Sequence, residues 1–272
     1  MAEIKKRRLG KTGLMVTELG LGAMDTPTVP EGEQALHTAL DLGINYIDTA
    51  RIYQASEYLI GEVIRARGGR SFYLASKTIN RSANGAQYDV DRSLSLLGVD
   101  AIDVYQVDDV LPEDWDKVMS EEGALAGLQV AKMRGLIGHI GITSHSLEVL
   151  EKAIACGEFE TVMMEYSAFY HETEGLIAKA KERDIGVVVM RPLGGSGRTS
   201  SIRTRMAAGE RVLTPAMLLR YVLSNPCISV AIPGVRYPDR VRQNVETAET
   251  YRPLTEALKR QWEVEAEAAR FA

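Results

Sequence analysis

Gly43-Ile44-Asn45-Tyr46-Ile47-Asp48-Thr49-Ala50 decides the reading of the fold. A glycine closes a run of helical periodicity over residues 32–42, a short apolar stretch follows, and a carboxylate stands at its end. The same unit recurs along the chain. Strands are expected over residues 18–22, 46–49, 72–76, 101–107, 137–142, 161–165, 186–190 and 228–232. Between them, residues 32–42, 57–67, 87–97, 147–155 and 172–183 place their apolar side chains on one helical face. Gly43, Gly98 and Gly157 sit just past helical runs, where a left-handed cap belongs. Eight strands alternating with helices predict parallel pairing and closure into an α/β fold, a (β/α)8 TIM barrel filling residues 1–272 as one domain.

Composition narrows the function. With 45% hydrophobic and 25% charged residues, the 272-residue chain has the values of a globular protein able to bury one large core. Its net charge of −5 supplies no basic face for nucleic acid. Cys156 and Cys227 are too few and too far apart for a disulfide framework or a zinc site, so they read as buried thiols in a metal-free protein. The basic segment of residues 1–8 precedes no uninterrupted apolar stretch, and no run is long enough to span a bilayer; a cytoplasmic protein without membrane contact is expected.

Two segments fall outside the repeat. Arg8-Leu9-Gly10-Lys11-Thr12-Gly13-Leu14-Met15-Val16 reads as a hairpin with Thr12-Gly13 in its turn, a plug over the barrel bottom. Residues 194–211, rich in Gly, Ser and Arg, read as a flexible loop at the face where barrel enzymes carry their sites, ahead of a helix beginning near Thr214-Pro215. Residues 253–272 read as a charged helix.

Leu9-Gly10-Lys11-Thr12-Gly13-Leu14, the Gly43-to-Ala50 stretch, Tyr53, Ser56-Glu57, Leu59-Ile60-Gly61, Ser76-Lys77-Thr78 and Ile232-Pro233-Gly234 resemble, in order and spacing, the signatures of the aldo-keto reductase superfamily. The resemblance implies a barrel that binds an extended nicotinamide cofactor without a Rossmann domain, and the chain has no Gly-x-Gly-x-x-Gly after an early strand. It implies Tyr53 as proton donor, with Lys77 lowering the phenol pKa and Asp48 pairing with Lys77. Asp103-Val104-Tyr105-Gln106-Val107-Asp108 is similar to the fourth barrel strand of that family, except that Asp108 stands in place of the catalytic histidine.

An ionised Asp108 has no proton to give and repels a developing alkoxide; a protonated one donates a strong hydrogen bond, as a neutral carboxylic acid does in ketosteroid isomerase. A branch of the superfamily that reduces steroid carbon–carbon double bonds carries glutamate at this place. An engineered substitution, a register shift to Asp109 and a structural partnership with a nearby Arg or Lys are the other readings of Asp108.

For the cofactor, Gly141-Ile142-Thr143-Ser144-His145 resembles the family's carboxamide-binding segment, implying Thr143 and Ser144, while Met163 takes the place of a usual glutamine. Met190-Arg191-Pro192-Leu193-Gly194-Gly195 resembles a segment lying against nicotinamide and pyrophosphate, implying Arg191, Leu193 and Gly194, with Arg198 as a weaker candidate and His145 as a substrate contact. The segment from Pro233 to Asn244 resembles the adenosine-binding loop and helix: Arg236 and Arg240 suit a 2′-phosphate and hence NADPH, and Asn244 stands at a matching position. The expectation is an NADPH-dependent oxidoreductase of small molecules, reducing an aldehyde or ketone to an alcohol. Reduction of a conjugated C=C or C=N bond enabled by Asp108, a catalytically weakened NADPH-binding or regulatory protein, and a cofactor-independent lyase stay open beside it. Oligomeric state leaves no mark on the sequence.

Overall fold

A hairpin of β1 (Lys6–Arg8) and β2 (Met15–Thr17) leads into β3 (Leu21–Gly22), β4 (Tyr46–Asp48), β5 (Tyr73–Thr78), β6 (Ile102–Val107), β7 (Ile137–Thr143), β8 (Thr161–Glu165), β9 (Gly186–Met190) and β10 (Val230–Ala231). The protein is seen in a computed structural model that describes residues 3–210 and 212–270; residues 1, 2, 211, 271 and 272 lie outside the described residues. From β3 to β10 each strand pairs in parallel with the next, in sequence order. Single bridges from Leu19 to Ala231 and from Gly22 to Gly234 then join the first strand to the last. Gly20 N–H donates to the Ala231 carbonyl at 2.8 Å and Ala231 N–H to the Glu18 carbonyl at 2.9 Å, which closes the barrel. The helices are α1 (Gly32–Asp41), α2 (Ser56–Ala66), α3 (Ala83–Leu97), α4 (Trp115–Met119), α5 (Ala124–Met133), α6 (Leu147–Cys156), α7 (Glu174–Glu182), α8 (Ser196–Ala207), α9 (Pro215–Leu223), α10 (Pro238–Thr250) and α11 (Glu256–Arg270).

Local chemistry accounts for the boundaries. Ser82, Ser146 and Thr214 cap α3, α6 and α9 by accepting from Gly85, Val149 and Met217 N–H. Gly98 (φ 66°) and Gly157 (φ 82°) end α3 and α6 in the left-handed conformation expected of them. Alternate strand residues divide the core: Tyr46, Ala75, Val104, Met163, Val188 and Val230 fill the barrel interior, while Ile47, Leu74, Tyr105, Val162 and Val189 pack outward into the main core.

The hairpin is the expected plug. Leu9 and Val16 are fully buried in the interior cluster, under the amino ends of the strands. Gly10 (φ 53°) passes so close to residues 184–186 that a Cβ would stand 2.2 Å from Gly186 N and 2.5 Å from the Asp184 carbonyl. Arg7 reaches across from β1 to the chain's other end, donating to the carbonyls of Leu223, Asn225 and Ile228 at 2.7, 2.9 and 2.7 Å and pairing with Glu18.

Two expectations are corrected. Most of residues 194–210 form the helix α8 rather than a flexible loop; Arg211 lies outside the described residues. This helix shows little apolar periodicity because it rests on few contacts: Ile202 is buried and Arg198 stacks 4.4 Å from the Phe169 ring. Cys156 is exposed rather than buried, because it ends α6 on the solvent side; Cys227 is half-buried.

Gly10 and Gly13 separate steric from conformational cost. Gly13 (φ 74°) has open space where a Cβ would stand. Gly13→Ala is expected to cost about 1 kcal/mol, and Gly10→Ala about 3 kcal/mol or more, read by denaturant titration. Equal losses would place the hairpin farther from β9 than described.

Candidate active site

Asp48 ends β4, Lys77 lies in β5, Asp108 follows β6, and Tyr53 sits in the loop between β4 and α2. These are the carboxyl ends of barrel strands. They meet at a cavity of about 610 Å³ whose wall includes Asp48, Tyr53 and Asp108. Lys77 is buried behind that wall and uses all three ammonium donors. It donates to Asp48 Oδ1 at 2.5 Å, to the Thr49 carbonyl at 2.8 Å and to the Tyr53 hydroxyl at 3.3 Å. Burial favours a neutral amine, but interactions with Asp48, Tyr53 and Asp108 outweigh it and hold Lys77 above the ordinary lysine range. Burial pushes Asp48 up to about 6 against the pull of Lys77, and Asp108 adds to the rise. Gln106, also buried, fixes the other Asp48 oxygen through Nε2 at 3.1 Å.

Tyr53 departs from expectation. Lys77 pulls its pKa down as foreseen, yet burial, helped by Asp48 and Asp108, outweighs that pull and raises it above the ordinary phenol value. The resting phenol therefore keeps its proton.

Asp108 is only 6% exposed. Its Oδ1 accepts from Thr143 Oγ1 at 2.8 Å, and Thr143 Oγ1 in turn accepts from Asp109 N–H at 2.7 Å. No arginine or lysine bonds the Asp108 carboxyl among the described residues; Arg81 instead donates to the main-chain carbonyls of Asp108 and Asp109 at 2.7 and 2.8 Å. Asp108 and Asp109 both line the cavity.

On the opposite side of the mouth, Arg191, Leu193, Gly194, Arg236, Arg240 and Asn244 line the same cavity, as does Thr143. Arg236 reaches Asp25 Oδ2 at 3.1 Å, Arg240 reaches Gln243 at 2.9 Å, and Arg191 and His145 both reach Glu165. Ser144 is not brought to the cavity. Its buried hydroxyl donates to the Val110 carbonyl at 2.6 Å and accepts from Ser146 N–H, so the Thr143-Ser144 pair reduces to Thr143. Arg198 likewise lies on Phe169 rather than in the wall.

Sequence reading missed Arg203. It projects from α8 into the same wall, and its Nε is buried with no hydrogen-bond partner. Burial, reinforced by the positive charges of Arg240 and Arg236, lowers its pKa. Three guanidinium groups are thus held together with one carboxylate, Asp25, between them, an excess of positive charge suited to phosphate.

The aldo/keto reductase family model matches residues 18–263. An uncharacterized oxidoreductase of Bacillus subtilis, YqkF, is 26% identical over 94% of this chain and 95% of its own. The aldo-keto reductase yakc [NADP(+)] of Schizosaccharomyces pombe is 31% identical over 68% of this chain and 59% of its own. Among solved structures, the holo form of aldo-keto reductase AKR11C1 from Bacillus halodurans superposes with a TM-score of 0.80 at 26% identity, covering 97% of this chain and 96% of that one.

Lys77→Met would leave the buried Asp48 carboxyl without its cation. A carboxyl raised on folding contributes stability that is complete below its unfolded value near 3.8 and is lost as pH rises through its folded value, here about 6. Removing Lys77 moves that folded value higher still. The stability deficit of Lys77→Met is expected to be small at pH ~5 and to reach about 3–5 kcal/mol by pH ~8, measured by denaturant titration at both. A deficit independent of pH would mean that Lys77 is not the counter-charge of Asp48.

Proposed function

The chain belongs to the aldo/keto reductase family, and from that premise we propose that it reduces an aldehyde or ketone to an alcohol with NADPH, Tyr53 giving the proton. The observation that carries the reading is the contact of Lys77 with both Asp48 and Tyr53 behind the cavity wall. Burial keeps the Tyr53 hydroxyl protonated and able to donate to a carbonyl oxygen in the cavity. As that proton leaves, the Lys77 ammonium behind it stabilises the phenolate, and Asp48 with Gln106 keeps the ammonium in place.

The cofactor suits the opposite wall. The unpartnered Nε of Arg203, with Arg236 and Arg240 beside it, calls for an anion, and the 2′-phosphate and pyrophosphate of NADPH supply one. The name of the Schizosaccharomyces pombe relative, which carries NADP(+), agrees. Arg191, Leu193 and Gly194 would lie along the pyrophosphate and nicotinamide, Asn244 at the adenine end, and Thr143 would accept from the carboxamide with its remaining lone pair. When bound, the nicotinamide supplies the hydride.

A second reading rests on Asp108. Its Oδ2 has no donor among the described residues while the residue lines the cavity, so a proton there would stabilise an enolate oxygen and favour reduction of a conjugated C=C bond.

Product identification separates these readings. With NADPH and an α,β-unsaturated aldehyde, an allylic alcohol is expected; a saturated aldehyde would instead favour the second reading. NADPH binding without turnover, with activity restored in Asp108→His, would reduce the protein to a cofactor-binding one. Tyr53→Phe is expected to lower kcat/KM by about 100-fold to 10,000-fold with NADPH binding kept. Arg240→Ala should weaken NADPH by roughly tenfold or more and leave NADH nearly unchanged, measured by fluorescence titration; equal losses for both would remove Arg240 from the 2′-phosphate.

A further inference from the structure

The mouth of the barrel is divided by charge. Arg191, Arg203, Arg236 and Arg240 stand on the side of β9, β10 and the helices that follow them, with Asp25 paired to Arg236 as a carboxylate among them. Across from them, Asp48, Asp108 and Asp109 stand at the ends of β4 and β6. Lys77 pairs with Asp48 but hydrogen-bonds neither Asp108 nor Asp109, because its three donors go to Asp48, Thr49 and Tyr53. Arg81 turns its guanidinium to the main-chain carbonyls of Asp108 and Asp109 and to Asp114, and His145 pairs with Glu165. Asp108 is more than nine-tenths buried, accepts from Thr143 on Oδ1, and has no partner for Oδ2 among the described residues. The Asp109 side chain, held at the exposed rim by a left-handed backbone (φ 44°), likewise bonds to nothing among them.

We propose that the substrate carries a positively charged nitrogen beside its carbonyl group, seated against Asp108 with Asp109 at the rim. The inference rests on the reductase reading and adds the substrate class to it. A carboxylate oxygen that faces the cavity and takes no hydrogen bond from the described residues is met by whatever fills that cavity, and a cation within a few ångströms suits its charge. The same cation resolves the objection that Asp108 raises to carbonyl reduction. A carboxylate beside a developing alkoxide repels it, whereas an intervening positive charge attracts both, doing electrostatically what a hydrogen-bond donor at this position would do. The cavity then takes an anionic cofactor along its arginine wall and a cationic substrate along its carboxylate wall, so each ligand is repelled from the other's place.

Trimethylammonio-acetaldehyde and tert-butylacetaldehyde have the same shape and differ only in nitrogen cation for carbon. With wild-type protein and NADPH, kcat/KM for the cationic aldehyde is expected to exceed that for the neutral one by about tenfold or more. Asp108→Asn is expected to bring that ratio close to one, and Asp109→Asn to lower it less. Choline and tert-butylethanol, the corresponding alcohols, give a readout without turnover: calorimetry with and without NADP+ should show the smaller Kd for choline. Equal kcat/KM for the two aldehydes, or a ratio unchanged in Asp108→Asn, overturns the cation site and leaves the reductase reading standing. Neither aldehyde reduced, with choline still bound in preference, supports the cation site and overturns the reductase reading. Neither reduced and neither alcohol preferred overturns the cation site.

Discussion

A buried ammonium can exist only where each of its three protons has an acceptor, and that demand from Lys77 organises the centre of this barrel. The acceptors come from three consecutive stretches of chain: the end of β4, the main chain just beyond it, and the loop carrying Tyr53. None can shift without stranding a charge. The alternation of β5 extends the constraint to the other face of the sheet, where Ser76, next to Lys77, donates to the buried carboxylate of Glu57 at 2.6 Å. Glu57 pairs with Arg51, tying α2 to the loop that holds Tyr53. One strand thus anchors the inner site with one residue and the outer helix with its neighbour.

Much of this was legible because the informative residues sit where local chemistry leaves a mark. Gly43, Gly98 and Gly157 mark helix ends by their need for positive φ, and the apolar β-branched strands stand out against amphipathic helices. Asp48 and Lys77 are polar residues at the ends of apolar runs, which marks them as site residues, while their pairing was implied by the family resemblance. Other features depend on tertiary position. Nothing in Thr143-Ser144 tells which hydroxyl turns inward, and nothing local to Tyr53 reveals that burial outweighs its lysine. The helical state of α8 was hidden by a composition of Ser, Thr, Arg and Gly with one buried aliphatic side chain, and Arg203 was hidden with it. In α5, Gly127 permits the close approach to Ala83 that packs α5 on α3.

Thr143 joins two neighbouring aspartates by a single oxygen. Its hydroxyl takes the N–H of Asp109 and gives its proton to Asp108, so the main-chain turn after β6 and the orientation of the Asp108 side chain are set by the same atom of β7. Aspartate tolerates the left-handed conformation needed at Asp109 better than most residues. A consecutive pair of aspartates at a strand end is therefore divided into an inner, oriented carboxylate and an outer, solvated one.

The closure of the barrel has a consequence for biosynthesis. The bonds that join Glu18 and Gly20 to Ala231, and those that Arg7 makes with residues 223, 225 and 228, span more than two hundred residues of chain. On a ribosome that makes about 5–20 residues per second, the first strand and the plug wait many seconds for their partners to emerge. Until then β3 is an open parallel edge, and the nascent protein depends on its short length and on the glycines flanking it, rather than on pairing, to avoid association with other chains.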